Sequence, residues 1–146
     1  MPLVPFEVNV ESDELAVRDA LGHFLEALKP LQLNIEETST VELVLAEVLN
    51  NIVEHAYPAS APSGPIALSC VHKPDGLYVE IKDQGRTMPD GKMPIGQLSS
   101  LDVDMDDLPE GGFGWFLIKN LAKDVTYERV GKENRLQLRL LVGVLH

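Results

Sequence analysis

The sequence predicts an α+β fold: a two-layer α/β sandwich with helices on one face of a mixed, mostly antiparallel sheet. Two features of the hydropathy pattern predict it. Helical spacing of apolar residues dominates two early blocks. Period-two alternation comes mainly in paired blocks joined by short turns, so helices and hairpins are segregated along the chain. With 146 residues, 45% of them hydrophobic, there is material for one sizeable core. No repeat, low-complexity tract or composition break divides it, so residues 1–146 are expected to form one domain.

FEVNV (6–10) alternates apolar and polar residues and reads as a strand. Ser12 with Asp13 and Glu14 then opens a helix. Its apolar stripe is Leu15, Ala20, Leu21, Phe24, Leu25 and Leu28, and Lys29-Pro30 ends it. A second helix runs from about Ile35 to Tyr57, with Thr38 or Ser39 as the expected cap; Pro58 and the following ASAPSGP stop it. IALSCVH (66–72) and LYVEIKD (77–83) are strands joined by KPDG, a turn sequence. From Gln84 to Gly112 periodicity is lost among breakers such as Pro89, Gly91, Pro94 and Pro109. A loop of that length in a compact domain is a functional lid or disordered; the lid is placed at roughly 86–112. FGWFLIKNLAK (113–123) returns to helical spacing. VTYERV and RLQLRLLV around a GKEN turn make a closing hairpin. The order is β-α-α-β-β-loop-α-β-β.

The formal net charge of -11 argues against nucleic acid or an anionic membrane as a partner, since both need a basic surface. No apolar run reaches the length of a membrane span, and the N-terminus lacks the charged and apolar regions of a signal peptide. A cytoplasmic location is expected. The lone Cys70 excludes an internal disulfide and a multi-cysteine metal site, and its apolar strand setting reads as a small buried hydrophobe.

Three polar clusters stand out against this frame. In LVLAEVLNNIVEHAY (43–57) a core-facing helix carries Glu47, Asn50, Asn51, Glu54 and His55, although Asn is a poor helix former. At about 100° per residue, Val41, Val44, Leu45, Val48 and Ile52 share one side. Glu47 and Asn51, four residues apart, flank that stripe, and Asn50 lies further towards solvent. Such a pair offers a carboxylate as base and an amide oxygen as a hard ligand for Mg²⁺; the plainer alternative is a solvated helix edge. His55 lies nearer the apolar side, where a packed histidine is the simpler reading. In IKDQGR (81–86) a carboxylate, Asp83, ends an apolar strand two residues before Gly85. That arrangement can accept a hydrogen bond from an exocyclic amine while the glycine admits a ring, but Asp-x-Gly is also an ordinary turn. In EGGFGWFLIKNL (110–121) a glycine-rich loop feeds a helix N-terminus, a natural phosphate cradle or simply a flexible entry.

The combination and its order are more specific than any part. AEVLNNIVEHAY resembles the N box of the GHKL (Bergerat-fold) ATP-binding superfamily. IKDQG resembles its first glycine box, and GGFGWFLIKNLAKDVTYERVGKENRLQL its second with the trailing hairpin. Within that superfamily the chain is most similar to the bacterial anti-sigma factor and serine-protein kinase branch, over nearly its whole length. The resemblance implies ATP and Mg²⁺ as cofactors. It implies Glu47 as general base, Asn51 as the Mg²⁺ ligand, Asp83 on the adenine amino group and Gly85 leaving room for the base. Gly112 and Gly114 would cradle phosphates, with Asn50 and His55 supporting the site. Arg86 and Lys92, the only basic residues in 84–118, are available to neutralise a transferred phosphate.

Two features depart from the family pattern. Trp115 stands where a smaller aliphatic residue usually follows the last glycine. Asp102, Asp104, Asp106, Asp107 and Glu110 make the lid acidic, which places those charges towards solvent or a basic partner. Asp107 and Phe113 occupy the wrong positions for an EF-hand.

The function the resemblance implies is an ATP–Mg²⁺-dependent serine/threonine protein kinase. It would act as an anti-sigma-type regulator, phosphorylating a STAS-domain antagonist, with a sigma factor as a second partner and a homodimer as the typical assembly. The alternative is a nucleotide-gated protein-binding module with little or no phosphotransfer. The retained Glu47 favours the first reading, and the scarcity of basic residues in the lid favours the second. A histidine-kinase domain would need a phosphoacceptor region, and gyrase-type hydrolysis a second domain that supplies a lysine.

Overall fold

The computed structural model describes residues 3–53, 64–85 and 118–145. β1 (Phe6–Glu11) leads into α1 (Glu14–Ala27), a single turn of 3₁₀ helix (Lys29–Leu31) and α2 (Ile35–Asn51). β2 (Pro65–Lys73) and β3 (Gly76–Asp83) follow, then β4 (Ala122–Val130) and β5 (Glu133–Leu140). The five strands form one sheet in the order β1-β2-β3-β5-β4. Every neighbouring pair in it is antiparallel, so the parallel component of the expected mixed sheet is not among the described strands. The chain leaves β3, reaches the far edge as β4 and returns by a hairpin, which sets β5 directly against β3.

Alternation along the strands assigns the two faces. Ile66, Leu68 and Cys70 of β2, Leu77, Val79 and Ile81 of β3, and Leu136, Leu138 and Leu140 of β5 are buried. They pack against Val17, Phe24 and Leu28 of the α1 region and Val41, Val44, Leu45, Val48 and Leu49 of α2. Both helices therefore cover one face, the economical way to bury a half-apolar sheet. Phe6 meets Phe24 edge-on with ring centroids 5.0 Å apart, which anchors α1 to β1. Burial pushes the Cys70 thiol up to about 12, so it stays a protonated core residue. Among the described residues no helix is long and apolar enough to cross a membrane.

The helices follow the expected start at Asp13 and correct two other expectations. Asp13 caps α1, accepting from the Ala16 N–H at 2.8 Å, while Ser12 is buried and its backbone N–H donates to the Gly64 carbonyl at 3.0 Å. Leu15, assigned to the core stripe, is 73% exposed, and Val17 takes the buried place. One turn of helix separates a cap from the first position that can reach the sheet, and Leu15 falls within that turn. For α2 the cap is Asn34, not Thr38 or Ser39. Asn34 and Glu37 form a reciprocal capping box, and Thr38 and Thr40 bond back to carbonyls four residues earlier. Glu37 also accepts from the Gly143 N–H at 2.8 Å, which ties the C-terminal tail to the start of α2.

The 118–123 segment differs in type from the expectation. Helix continues only through residue 121, and Ala122 and Lys123 already pair with Leu140 and Arg139 as the first residues of β4. Asp124, at φ 52, and an irregular register between Lys123 and Thr126 absorb this abrupt change. At the β2–β3 turn, Gly76 has φ 140, and a Cβ there would lie 2.5 Å from the Leu140 carbonyl oxygen. Only glycine fits that turn.

Candidate functional site

Among the described residues the buried polar side chains are Ser12, Asn51, Asp83 and Asn134, and two of them were singled out in the sequence as site residues. The first lies on α2. Asn51, 9% exposed, ends the helix on the side carrying Val44 and Val48, with Glu47 half-buried one turn earlier and Asn50 exposed. The Asn51 amide nitrogen donates to the Glu47 backbone carbonyl at 2.7 Å. That bond engages the amide nitrogen and leaves Oδ1 as the acceptor end of the side chain. A hard divalent cation binds an amide through this oxygen. No group of three or more His, Cys, Asp or Glu side chains suited to a metal occurs among the described residues. The amide oxygen of Asn51 has the chemistry of a single hard-cation ligand, which fits Mg²⁺.

The second group ends β3. Asp83 follows Leu77, Val79 and Ile81 in phase, so its carboxylate points to the helix side and is only 6% exposed. Its Oδ1 accepts from the Gly85 backbone N–H at 2.9 Å, closing the Asp-x-Gly turn. The same oxygen accepts from the Asn134 amide at 2.7 Å. Burial raises the Asp83 carboxyl above the ordinary aspartate value. The Asn134 and Gly85 donors and the nearby Arg129 guanidinium pull it down, and Glu133 adds to the rise.

Asn134 is the residue that sequence reasoning missed. GKEN was read as a turn, but the turn closes by Lys132 and β5 begins at Glu133. Asp83, Asn134 and Arg129 stand in one cross-strand row, on β3, β5 and β4 respectively. Asn134 Oδ1 accepts from Tyr127 Oη at 2.9 Å and from Arg129 Nη1 at 2.8 Å. Arg129 Nη1 also donates to the Gly85 carbonyl at 2.7 Å, and its Nε to the Gly131 carbonyl at 3.1 Å. The hairpin tip and the Asp-x-Gly turn are thus one bonded unit. The available signal was phase: in NRLQLRL, Asn134 shares the face of Leu136, Leu138 and Leu140.

Of the residues singled out in the sequence, Glu47, Asn50, Asn51, Asp83 and Gly85 have described positions. His55, Arg86, Gly112 and Gly114 lie outside the described residues, as do Trp115 and the acidic segment.

Residues 10–140 match the histidine kinase-like ATPase domain family. The chain belongs to this family. The histidine kinase-like ATPase match runs from the end of β1 to the end of β5 and includes both polar groups. Among curated relatives, serine-protein kinase RsbW of Staphylococcus epidermidis is 30% identical over 102 residues, which cover 68% of this chain and 62% of the relative. The RsbW of Bacillus licheniformis is 27% identical over 92 residues, covering 62% and 56%. The chain thus spans about three-fifths of the length of these relatives. In fold it is similar to the RsbU and RsbW domains of Rv1364c from Mycobacterium tuberculosis. The TM-score is 0.65 at 14% identity, over 95% of this chain and 32% of that one. A blue-light-activated histidine kinase domain from Erythrobacter litoralis aligns with a TM-score of 0.53 at 19% identity, over 86% and 60%.

Proposed function

We propose that the chain is an ATP–Mg²⁺-dependent serine/threonine protein kinase of the anti-sigma type, acting on a STAS-fold antagonist. The observation that carries this reading is a pair of oriented, buried polar groups, one at the end of β3 and one on α2. A buried carboxylate ends β3 with one oxygen held by two donors, and an α2 amide has its nitrogen tied back and its oxygen available. Family membership and the similarity to serine-protein kinases support it.

Bound ATP–Mg²⁺ would supply the phosphoryl group and neutralise its charge. The chain's own residues have separable tasks. Asp83 accepts from the adenine amino group, and Gly85 leaves the base room to approach. Asn51 Oδ1 faces the cation. Glu47, one helical turn away, accepts the proton of the attacking serine or threonine hydroxyl, the usual contribution of a positioned carboxylate. Gly112 and Gly114 would contact phosphates beneath a lid spanning roughly 86–112, with Arg86 at its start. Asn50 and His55 would support the helix end. Residues 1–146 would form one ATP-binding domain, and a homodimer is the proposed assembly.

A second reading, a nucleotide-gated binding module, is favoured by the scarcity of basic side chains in residues 84–118. Isothermal calorimetry with ATP, with and without Mg²⁺, followed by transfer of labelled γ-phosphate to purified STAS-domain proteins, separates the two. Binding with transfer supports the kinase. Mg²⁺-dependent binding without transfer to any STAS protein supports the gated module. No binding by folded protein overturns both.

A further inference from the structure

The row Asp83–Asn134–Arg129 has a direction. Arg129 can only donate, so its contact fixes Oδ1 as the Asn134 atom turned towards it, and Tyr127 donates to the same oxygen. The other end of the amide, Nδ2, must then face β3, where it donates to Asp83 Oδ1 at 2.7 Å and to the Gly85 carbonyl at 3.3 Å. The Gly85 backbone N–H, also an obligatory donor, occupies the second lone pair of the same Asp83 oxygen. Asp83 Oδ1 is therefore held as an acceptor from two sides. Both bonds that Asp83 receives from described residues land on this oxygen, so Oδ2 is the atom it offers to a ligand.

We propose that Asn134, held by Arg129 and Tyr127, is a positioning residue that makes this site select a 6-amino purine over a 6-oxo purine. This rests on the ATP-binding reading above and deepens it. An ionised carboxylate oxygen accepts and cannot donate. The exocyclic amine of adenine satisfies it, whereas the 6-carbonyl of hypoxanthine sets two acceptors against each other. A site built around a hydrogen bond rejects the analogue that cannot make it far more strongly than an apolar pocket rejects a change of size. Without Asn134, Asp83 Oδ1 loses one of the two donors that fix the carboxylate, so Oδ2 is no longer held towards the exocyclic group and discrimination falls.

The test is calorimetric titration of the full chain with ATP and with ITP in the presence of Mg²⁺. It compares wild type, Asn134→Leu, Arg129→Met and, as a control for the base site, Asp83→Asn. Circular dichroism melts confirm that each protein is folded. Wild type is expected to prefer ATP by at least about tenfold, as one unmade bond to a charged group implies. Asn134→Leu should bring the ratio close to one, mostly through loss of ATP affinity, and Arg129→Met should lower it in the same direction by less. Arg129 is exposed, so that variant remains informative if Asn134→Leu does not fold. Equal weakening of both nucleotides with the ratio preserved would show Asn134 to be merely structural, and the inference falls while the ATP reading stands. Wild-type binding without preference has the same consequence. Failure of wild type to bind either nucleotide overturns the ATP reading, and the inference with it.

Discussion

The two ends of the proposed nucleotide site are held in different ways. At the sheet end, Asp83 belongs to a row across β3, β5 and β4, and contacts between residues 44 and 51 positions apart join the hairpin tip to the strand end. At the helix end, Asn51 is oriented by one bond within its own helix, to the carbonyl four residues back, and Glu47 is half-buried. Among the described residues, the sheet end is cross-linked by tertiary contacts, whereas the bond that orients Asn51 is local to its helix. Such a division suits a site whose base pocket stays fixed while the phosphate end accommodates a changing charge.

Three substitutions sharpen or break that contrast. Glu47→Gln keeps the size and removes the base. Phosphotransfer to a STAS partner should fall about 10²–10⁴-fold while ATP affinity measured by calorimetry stays nearly unchanged. A parallel loss of affinity would move Glu47 from chemistry to binding. Asp83→Asn removes the charge and puts an amide donor where the ligand-facing oxygen stood, so ATP affinity should drop on the order of 100-fold with or without Mg²⁺. Asn51→Ala should cost about tenfold, and only in the presence of Mg²⁺, because the sheet end is untouched. If Asn51→Ala weakened metal-free binding as much as Asp83→Asn does, the two ends would not be separable.

Stability offers a further comparison. Asp83 has a raised folded-state value, so the stability it contributes is present below its unfolded value, about 3.9, and is lost as pH rises through the folded one. Ligand-free wild type should therefore lose melting temperature relative to Asp83→Asn as pH increases from about 3.5 towards 7. A gap that does not change over that range would mean that the donors around Asp83 fully offset its burial. The smallest effect is expected at Leu15. Leu15→Ala should shift stability by no more than about 0.5 kcal/mol in chemical denaturation, because the side chain is 73% exposed.

Much of this was legible in the chain because it depends on local period. The alternation in IALSCVH and LYVEIKD put Ile66, Leu68, Leu77, Val79 and Ile81 on one face, and the structure buries them all. The same phase put Asp83 at the end of a buried row, and the i, i+4 rule put Asn51 beside Glu47 and Asn50 outside. Helix ends were read less well. Asn34 rather than Thr38 caps α2, and Ala122–Lys123 left the helical pattern to pair with β5. In both places several adjacent residues have similar local preferences, and packing chooses among them.

Sequence by itself determined the fold class, the antiparallel hairpins, the acidic character and the two polar anomalies, since each is written in composition or in spacings of two to four residues. Only the tertiary structure decided what holds Asp83. The β4–β5 hairpin places Asn134 beside a carboxylate 51 residues earlier, and Arg129 beside a carbonyl 44 residues earlier. No periodicity in the chain records which hairpin residue a crossover will bring against which strand end. That choice was made when the sheet closed and the buried carboxylate needed donors.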